Sequence, residues 1–169
     1  ILVANPRCAT TYLGRMMAAT HIYRYDSEIL QLAEQAATRF EAWLEGVELW
    51  NRNSYVVCCI HDGHCRGQNI LGMAKGLETY FVTRRDLAAA ALSFAKAVAS
   101  QHWHVPIVNL PPDSSVNQGA LARSFKKWEE KYCREFGADR VLYMEDIIAG
   151  ITPFELPYKP IPFVFGHRD

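Results

Sequence analysis

A short polar loop near the start of the chain contains residue types suited to binding an anion. It spans residues 5–12 and reads NPRCATTY. Arg7 offers a fork of N–H donors, and Thr10 and Thr11 offer hydroxyl donors, which suits a phosphate or sulfate group. A helix that begins here would add backbone N–H groups and the positive end of its dipole. The loop therefore predicts an anion site, and a helix start capped by Thr10 is the alternative interpretation.

A second set of such residues follows the apolar segment 79–83, which reads TYFVT. Arg84 and Arg85 come directly after it, and Asp86 opens an alanine-rich helix predicted to reach Ser100. Ser93 lies eight residues after Arg85, about two helical turns into that helix, so it reaches a ligand only if the ligand lies along the helix. A surface charge at Arg85 and simple packing of Ser93 are the alternatives.

Four potential metal ligands lie within seven residues around the end of the apolar segment 55–60. They are Cys59, His61, His64 and Cys65. Thiolate and imidazole are chemically adequate ligands for zinc. Side chains alternate in direction at a strand end, however, and no second pair with C-x₂₋₄-C spacing exists elsewhere in the chain. We therefore expect no metal.

These groups must be positioned by the elements around them. Continuous apolar runs predict strands at residues 1–4, 55–60, 79–83 and 140–144. Apolar residues at helical spacing predict helices at 11–19, 27–49, 86–100 and from Ser114 or Ser115 to 136, and proline-rich stretches at 104–113 and 152–169 predict extended chain or loop. Strands separated by helices imply an α/β fold, a mostly parallel sheet with helices on both faces. Ligands bind at the carboxyl ends of such strands.

Composition limits the function classes. The 169 residues suggest one domain, 1–169, with a core of about 1–150 and a proline-rich tail at 151–169. Lys+Arg and Asp+Glu number 18 each, so net charge gives no signal for nucleic acid or a membrane surface. No apolar run is long enough to span a membrane. Five irregularly spaced cysteines favour a reduced, cytoplasmic chain over a secreted disulfide framework.

Two of these stretches resemble the P-loop sulfotransferases. Residues 6–13, PRCATTYL, are similar to that family's P-R/K-S-G-T-T-x-L loop, with Cys8 and Ala9 where Ser and Gly are usual. Residues 80–93 resemble its second cofactor motif, in which a Ser follows eight residues after an Arg at a strand end. Trp128 and the segment 141–147, VLYMEDI, are a looser likeness. The resemblance covers about residues 1–150 and indicates a short or minimal member of the family.

This resemblance implies a P-loop-type three-layer α/β/α fold with a central, mostly parallel sheet. It also implies an enzyme that moves a sulfuryl group from 3′-phosphoadenosine 5′-phosphosulfate to a hydroxyl or amine acceptor, leaving 3′-phosphoadenosine 5′-phosphate. The co-substrate would be bound by Arg7, Cys8, Ala9, Thr10, Thr11, Tyr12, Arg85 and Ser93. Arg7 would also stabilise charge on the leaving phosphate, so no metal is required. The acceptor would be a small molecule, a glycan or a peptide, and a homo-oligomer is compatible with the sequence.

The acceptor needs a general base, for which the resemblance offers three candidates. Glu28 lies 21 residues after Arg7, near the position of the Glu base in tyrosyl-protein and related bacterial sulfotransferases. Taken alone, Glu28 is better explained as a first-turn carboxylate that interacts with a helix dipole. His61 follows the strand at 55–60, where animal cytosolic members carry a catalytic His, and His64 fits that spacing nearly as well. We rank Glu28 first, His61 second and His64 third.

Two other functions stay open. One is a P-loop kinase or nucleotide phosphohydrolase with a diverged loop, although the motif G-x-x-x-x-G-K-[ST] is absent. The other is a non-catalytic module that keeps the nucleotide pocket, or only the fold, as a binding or assembly surface. The substitutions at Cys8 and Ala9 are compatible with this second alternative.

Overall fold

A computed structural model describes residues 1–8, 10–19, 23–26, 40–46, 55–61, 72, 74, 76–101 and 111–154 of the chain. The strands are β1 (Leu2–Ala4), β2 (Tyr23–Asp26), β3 (Tyr55–His61), β4 (Tyr80–Thr83) and β5 (Val141–Tyr143). The helices are α1 (Thr10–Ala18), α2 (40–46), α3 (Leu87–Ser100), α4 (Gln118–Phe136) and α5 (Met144–Ala149). A single 3-10 turn, Ala138–Arg140, precedes β5.

The strands form one sheet in the order β2-β3-β1-β4-β5, and every neighbouring pair is parallel. The central strand is β1, in which Ala4 lies level with His61 of β3 on one side and Val82 of β4 on the other. The predicted α/β fold with a parallel sheet is confirmed at this level. Its organisation as one domain stays a prediction.

Both faces of the sheet carry buried apolar side chains. Leu2 and Ala4 pack on one face with α1, through Leu13, and with α5, through Ile147. Val3 points to the opposite face, where its cluster includes Phe81 of β4 and three residues of α4: Trp128, Tyr132 and Phe136. This alternation follows from the period of two along a strand, and it explains why β1 reads as a continuous apolar run.

The N-terminal ends of α3 and α4 are each set by a side chain that caps the helix. The Oδ1 atom of Asp86 accepts a hydrogen bond from the N–H of Ala89 at 2.8 Å, which confirms the predicted start of that helix. For α4 the prediction of Ser114 or Ser115 is wrong, because Asn117 is the cap and the helix starts at Gln118. Asp113 accepts from both the N–H and the hydroxyl of Ser115, so that serine is held in a preceding turn.

Other differences concern β2 and the segments around it. The strand Tyr23–Asp26 was not predicted, because its sequence YRYD has no apolar run. Of the helix predicted at 27–49, residues 40–46 are helical and the rest lies outside the described residues, as does the tail from 155. The fourth predicted strand is shorter, since Met144 already begins α5. Among the described residues, no helix has both the length and the apolar character needed to cross a lipid bilayer.

Candidate anion-binding site

The carboxyl ends of β1 and β4 define a crevice in this sheet. From β1 the chain passes through α1 to β2, on the side of β3, whereas from β4 it passes through α3 and α4 to β5 on the opposite side. Where two adjacent parallel strands connect in opposite directions, their loops diverge and leave a ligand-binding crevice. The loop after β1, residues 5–8, and the residues after β4, Arg84 and Arg85, therefore border one site.

Asn5 fastens these two strand ends together. Its side chain is fully buried, and its Nδ2 atom donates to the Thr83 hydroxyl at 3.0 Å and to the Phe125 carbonyl at 3.4 Å. Its backbone N–H donates to the carbonyl of Val82 at 3.2 Å. The Oδ1 atom of Asn5 has no hydrogen-bond partner among the described groups. The crevice thus has a buried polar base, because the hydrogen bonds of a buried side-chain amide are costly to leave unmade.

Arg7 carries the contact that joins the two motifs. Its Nε atom donates to the Oγ of Ser93 on α3 at 3.1 Å, across 86 positions of sequence. Its backbone is in the left-handed region, with a φ of 66°. A non-glycine residue there carries a modest conformational cost and marks a loop held in shape by its surroundings. The loop after β1 and helix α3 therefore meet at a guanidinium and a hydroxyl, both of which can donate to an anion.

The surroundings of Arg7 favour a negatively charged ligand. Burial, and after it the positive charge of Arg84, lowers the pKa of the Arg7 guanidinium from its usual value. Arg84 is itself only 19% exposed at its side chain, and its Nε has no hydrogen-bond partner in the described residues. Glu145 lies 3.9 Å from that Nε. An anion would relieve both the desolvation and the mutual repulsion of the two guanidinium groups.

Arg85 is engaged elsewhere. Its two terminal nitrogens bond the carboxylate of Asp146 on α5 at 2.8 and 2.7 Å, and its guanidinium lies 4.4 Å from the ring centre of Tyr143. Its backbone N–H donates to Glu145 at 3.2 Å. Arg85 and Ser93, expected to act together, therefore have different partners, since Ser93 accepts from Arg7. The arginine also lowers the pKa of the Asp146 carboxyl through its hydrogen bonds.

The other residues predicted in the first loop have mixed positions. Cys8 is fully buried within the α1 face of the core, and its thiol donates to the Pro6 carbonyl at 3.5 Å, so its side chain does not line the crevice. Thr10 is buried at the first turn of α1, and Thr11 is half-buried. Tyr12 packs against the same core, and burial raises its pKa. The predicted Ala9 lies outside the described residues.

The proposed bases are only partly described. His61 ends β3 beside Ala4, so its backbone lies at the same edge of the sheet as the crevice. Glu28 and His64 lie outside the described residues. Of the zinc candidates, Cys59 and His61 are described as strand backbone only, and Cys65 lies outside. No group of three or more potential metal ligands occurs within the described ranges.

Sequence reasoning missed the residues that hold the crevice in place. Asn5 and Thr83 flank the motifs, and nothing in their spacing indicates that they bond across 78 positions. The sequence already places Arg84 beside Arg85 among the residues suited to an anion, but only the structure shows that Arg84 is the more buried of the two. The loose likeness around residues 141–147 contains Asp146, the acid of α5 whose carboxylate bonds the Arg85 guanidinium.

Comparison with models of known protein families found no match, and a search of curated proteins found no significantly similar sequence.

Proposed function

We propose that the protein is a sulfotransferase that uses 3′-phosphoadenosine 5′-phosphosulfate and has a P-loop-type three-layer α/β/α fold. The observation that carries this proposal is the 3.1 Å bond between Arg7 Nε and Ser93 Oγ. It joins the two stretches that resemble the family's cofactor motifs at the crevice between β1 and β4. The central position of β1 and the clusters on both sheet faces support the proposed fold.

In this proposal the chain acts by positioning and by charge. Arg7 binds the phosphosulfate end of the co-substrate, with the N-terminal turn of α1 behind it and Arg84 adding positive potential. The donor supplies the sulfuryl group. The bond from sulfur to the bridging oxygen breaks as the bond to the acceptor oxygen or nitrogen forms, and Arg7 stabilises the charge left on the phosphate.

A base must take the proton of the acceptor. His61 has support from its place in the sheet, since it lies level with Ala4 at the end of the strand that leads into the Arg7 loop. An imidazole has a suitable pKa for this task near neutral pH. Glu28 and His64 stay candidates on sequence grounds. Replacing each residue in turn, as Glu28→Gln, His61→Ala and His64→Ala, distinguishes them by which variant loses turnover while keeping co-substrate affinity.

One observation favours a second candidate, the non-catalytic nucleotide-binding or assembly module. Arg85, which the resemblance assigns to the co-substrate, is held by two bonds to Asp146. The Cys8 side chain, in the middle of the first motif, belongs to the core. A pocket that keeps Arg7 and Ser93 but not Arg85 would bind the nucleotide weakly.

A transfer assay separates these functions. The protein is incubated with sulfur-labelled 3′-phosphoadenosine 5′-phosphosulfate, a chelator of divalent metals and a panel of hydroxyl and amine acceptors. The sulfotransferase proposal predicts label on an acceptor, formation of 3′-phosphoadenosine 5′-phosphate in equal amount, and loss of both in Arg7→Gln. Binding of 3′-phosphoadenosine 5′-phosphate without transfer to any acceptor supports the non-catalytic module. Absence of binding contradicts the sulfotransferase and the nucleotide-binding module, and leaves only a module that uses the fold as an assembly surface.

A further inference from the structure

A pocket of about 470 Å³ opens at the carboxyl ends of β4 and β5, against helix α4. We call it the β4–β5 pocket, and it is lined by Arg84, Arg85, Leu87, Lys126, Glu129 and Tyr143. It shares Arg84 with the crevice at Arg7, because the charge of Arg84 acts on the Arg7 guanidinium. Its volume is within the range of pockets that bind small organic molecules.

The three cations of the β4–β5 pocket differ in how they are satisfied. Lys126 donates to the buried carboxylate of Glu129 at 3.1 Å, and Arg85 is held by Asp146 at 2.7 Å. The ion-pair contact of Arg84 is longer, 3.9 Å to Glu145, and its buried Nε has no hydrogen-bond partner among the described groups. Within the described part of the chain, Arg84 is therefore the lining cation without a close ion pair.

A buried guanidinium nitrogen without a hydrogen-bond partner in the described residues, the Nε of Arg84, needs a physical explanation. Leaving a charged donor without a partner in a poorly hydrated place is costly, and such groups are concentrated where a side chain serves a ligand. The planar guanidinium fork matches a carboxylate better than it matches a neutral group. Leu87 and the Tyr143 ring provide an apolar wall beside it, and burial raises the pKa of the Tyr143 phenol, which keeps it uncharged.

We propose that the β4–β5 pocket binds the acceptor substrate, and that the acceptor is a hydroxyl-bearing organic carboxylate whose acid group is held by Arg84. The role as acceptor rests on the proposed function. Recognition of the carboxylate does not, because it depends only on the pocket. The ring or chain of the ligand lies on Leu87 and Tyr143, and its hydroxyl faces the crevice at Arg7, where transfer takes place.

Calorimetric titration with two probes that differ in one charge tests the proposal. The probes are para-hydroxyphenylacetate and its neutral amide, para-hydroxyphenylacetamide. We expect the wild-type protein to bind the acid at least about tenfold more tightly than the amide, since hydrogen bonds to charged groups are the stronger ones. Arg84→Gln is expected to abolish that preference and to leave the affinity for the amide unchanged.

Lys127→Gln is the matched control, because Lys127 is exposed on the same helix as Lys126 and does not line the pocket. It should keep the full preference for the acid. Equal binding of acid and amide by the wild-type protein overturns the proposal, and so does an unchanged preference in Arg84→Gln. If Arg84→Gln fails to fold, Arg84→Lys, which keeps the charge and loses the fork, should retain only part of the preference.

A titration with 3′-phosphoadenosine 5′-phosphate separates this proposal from the proposed function. If the acid binds and the nucleotide does not, the pocket stands and the sulfotransferase function fails. If the nucleotide binds and the acid binds no better than the amide, only the pocket proposal fails. With both bound, transfer of label to para-hydroxyphenylacetate but not to its amide establishes the acceptor class.

Discussion

The loops after β1 and after β4 follow neighbouring strands, and both carry arginines. The arginines differ in the charge of the groups that they bond. Arg7, after β1, bonds a neutral hydroxyl, that of Ser93 on α3. Arg85, after β4, is bonded on both terminal nitrogens to the carboxylate of Asp146. Arg84, which directly precedes Arg85, is largely buried and has one longer contact with a carboxylate, that of Glu145.

The difference shows where the crevice can attract an anion. A guanidinium held by a hydroxyl keeps its full positive charge, whereas one held by a carboxylate is locally neutralised. The positive potential is therefore reduced at Arg85, on the side of α5, where Asp146 bonds both terminal nitrogens. On the side of β1, Arg84 is close enough to Arg7 for its charge to lower the pKa of the Arg7 guanidinium. Substitutions on the two sides should therefore have different effects on anion binding.

The largest effect is expected from Arg7→Gln. Removing a guanidinium aimed at developing negative charge should reduce sulfuryl transfer by about 10²–10³-fold. Label transfer from 3′-phosphoadenosine 5′-phosphosulfate measures it. Arg15→Gln is the control, because Arg15 is an exposed arginine on α1, the helix that follows the Arg7 loop. Equal turnover in both variants would remove Arg7 from the mechanism.

Thr83→Val should weaken the polar base under the crevice. The substitution removes the hydroxyl that accepts from buried Asn5 Nδ2, so we expect the free energy of unfolding to fall by about 1–3 kcal/mol. Denaturant titration measures the change. Thr152→Val, which loses a short-range bond to Phe154, should cost less. A Thr83→Val variant as stable as the wild type would show that the two strand ends do not depend on this bond.

Ser93→Ala tests the contact between the motifs. Without the Ser93 hydroxyl, Arg7 loses a positioning partner, so the affinity for 3′-phosphoadenosine 5′-phosphate should fall about three- to tenfold. Ser100→Ala, on the same helix, removes a hydroxyl that bonds the Lys96 and Ala97 carbonyls in the last turns of that helix, and it should leave the affinity unchanged. If both variants bind alike, the Arg7–Ser93 bond does not prepare the site.

Asp146→Asn should act in the opposite direction. Without the carboxylate charge, Arg85 contributes positive potential again, and nucleotide affinity should rise about two- to fivefold, an effect that salt reduces. Calorimetry at low and high salt measures the nucleotide affinity. The control is Asp139→Asn, which also removes one negative charge but lies on the 3-10 turn before β5. A decrease in affinity would mean that Asp146 positions Arg85 for the ligand instead of neutralising it.

The smallest expected effect is on the acid dependence of stability. The pKa of Asp146 is lower in the folded protein than in the unfolded chain, because Arg85 bonds its carboxylate. The unfolded chain therefore binds more protons between these two pKa values, and stability falls as the pH decreases through that window. Asp146→Asn should flatten this part of the profile of melting temperature against pH. An unchanged profile would show that the exposed pair contributes nothing.

Most of the fold was predictable because its signals are local. The apolar runs of β1, β3 and β4 and the cap at Asp86 are read within a few residues. The strand β2, YRYD, was not predictable, because pairing with β3 gives it its structure and its side chains carry no apolar pattern. The start of α4 was misplaced because Ser115 is a good cap by type but is held by Asp113.

The site was less predictable than the fold for a related reason. Residue types after β1 and β4 indicate anion binding, but which side chains meet is decided across the sheet. The Arg7–Ser93 bond spans 86 positions of sequence and the Arg85–Asp146 pair spans 61. Contacts between residues so far apart cannot be predicted from the spacing of nearby residues. The resemblance supplied Arg7 and Ser93 as members of one site, whereas the neutralisation of Arg85 by Asp146 required the structure.

The most direct test of the account is a calorimetric titration of the wild-type protein with 3′-phosphoadenosine 5′-phosphate and, separately, with ATP, both in the presence of a metal chelator. We predict that 3′-phosphoadenosine 5′-phosphate binds, that ATP binds more weakly, and that Arg7→Gln abolishes the binding while Arg15→Gln does not. No heat of binding with 3′-phosphoadenosine 5′-phosphate at high micromolar concentration, or tighter binding of ATP, would contradict it.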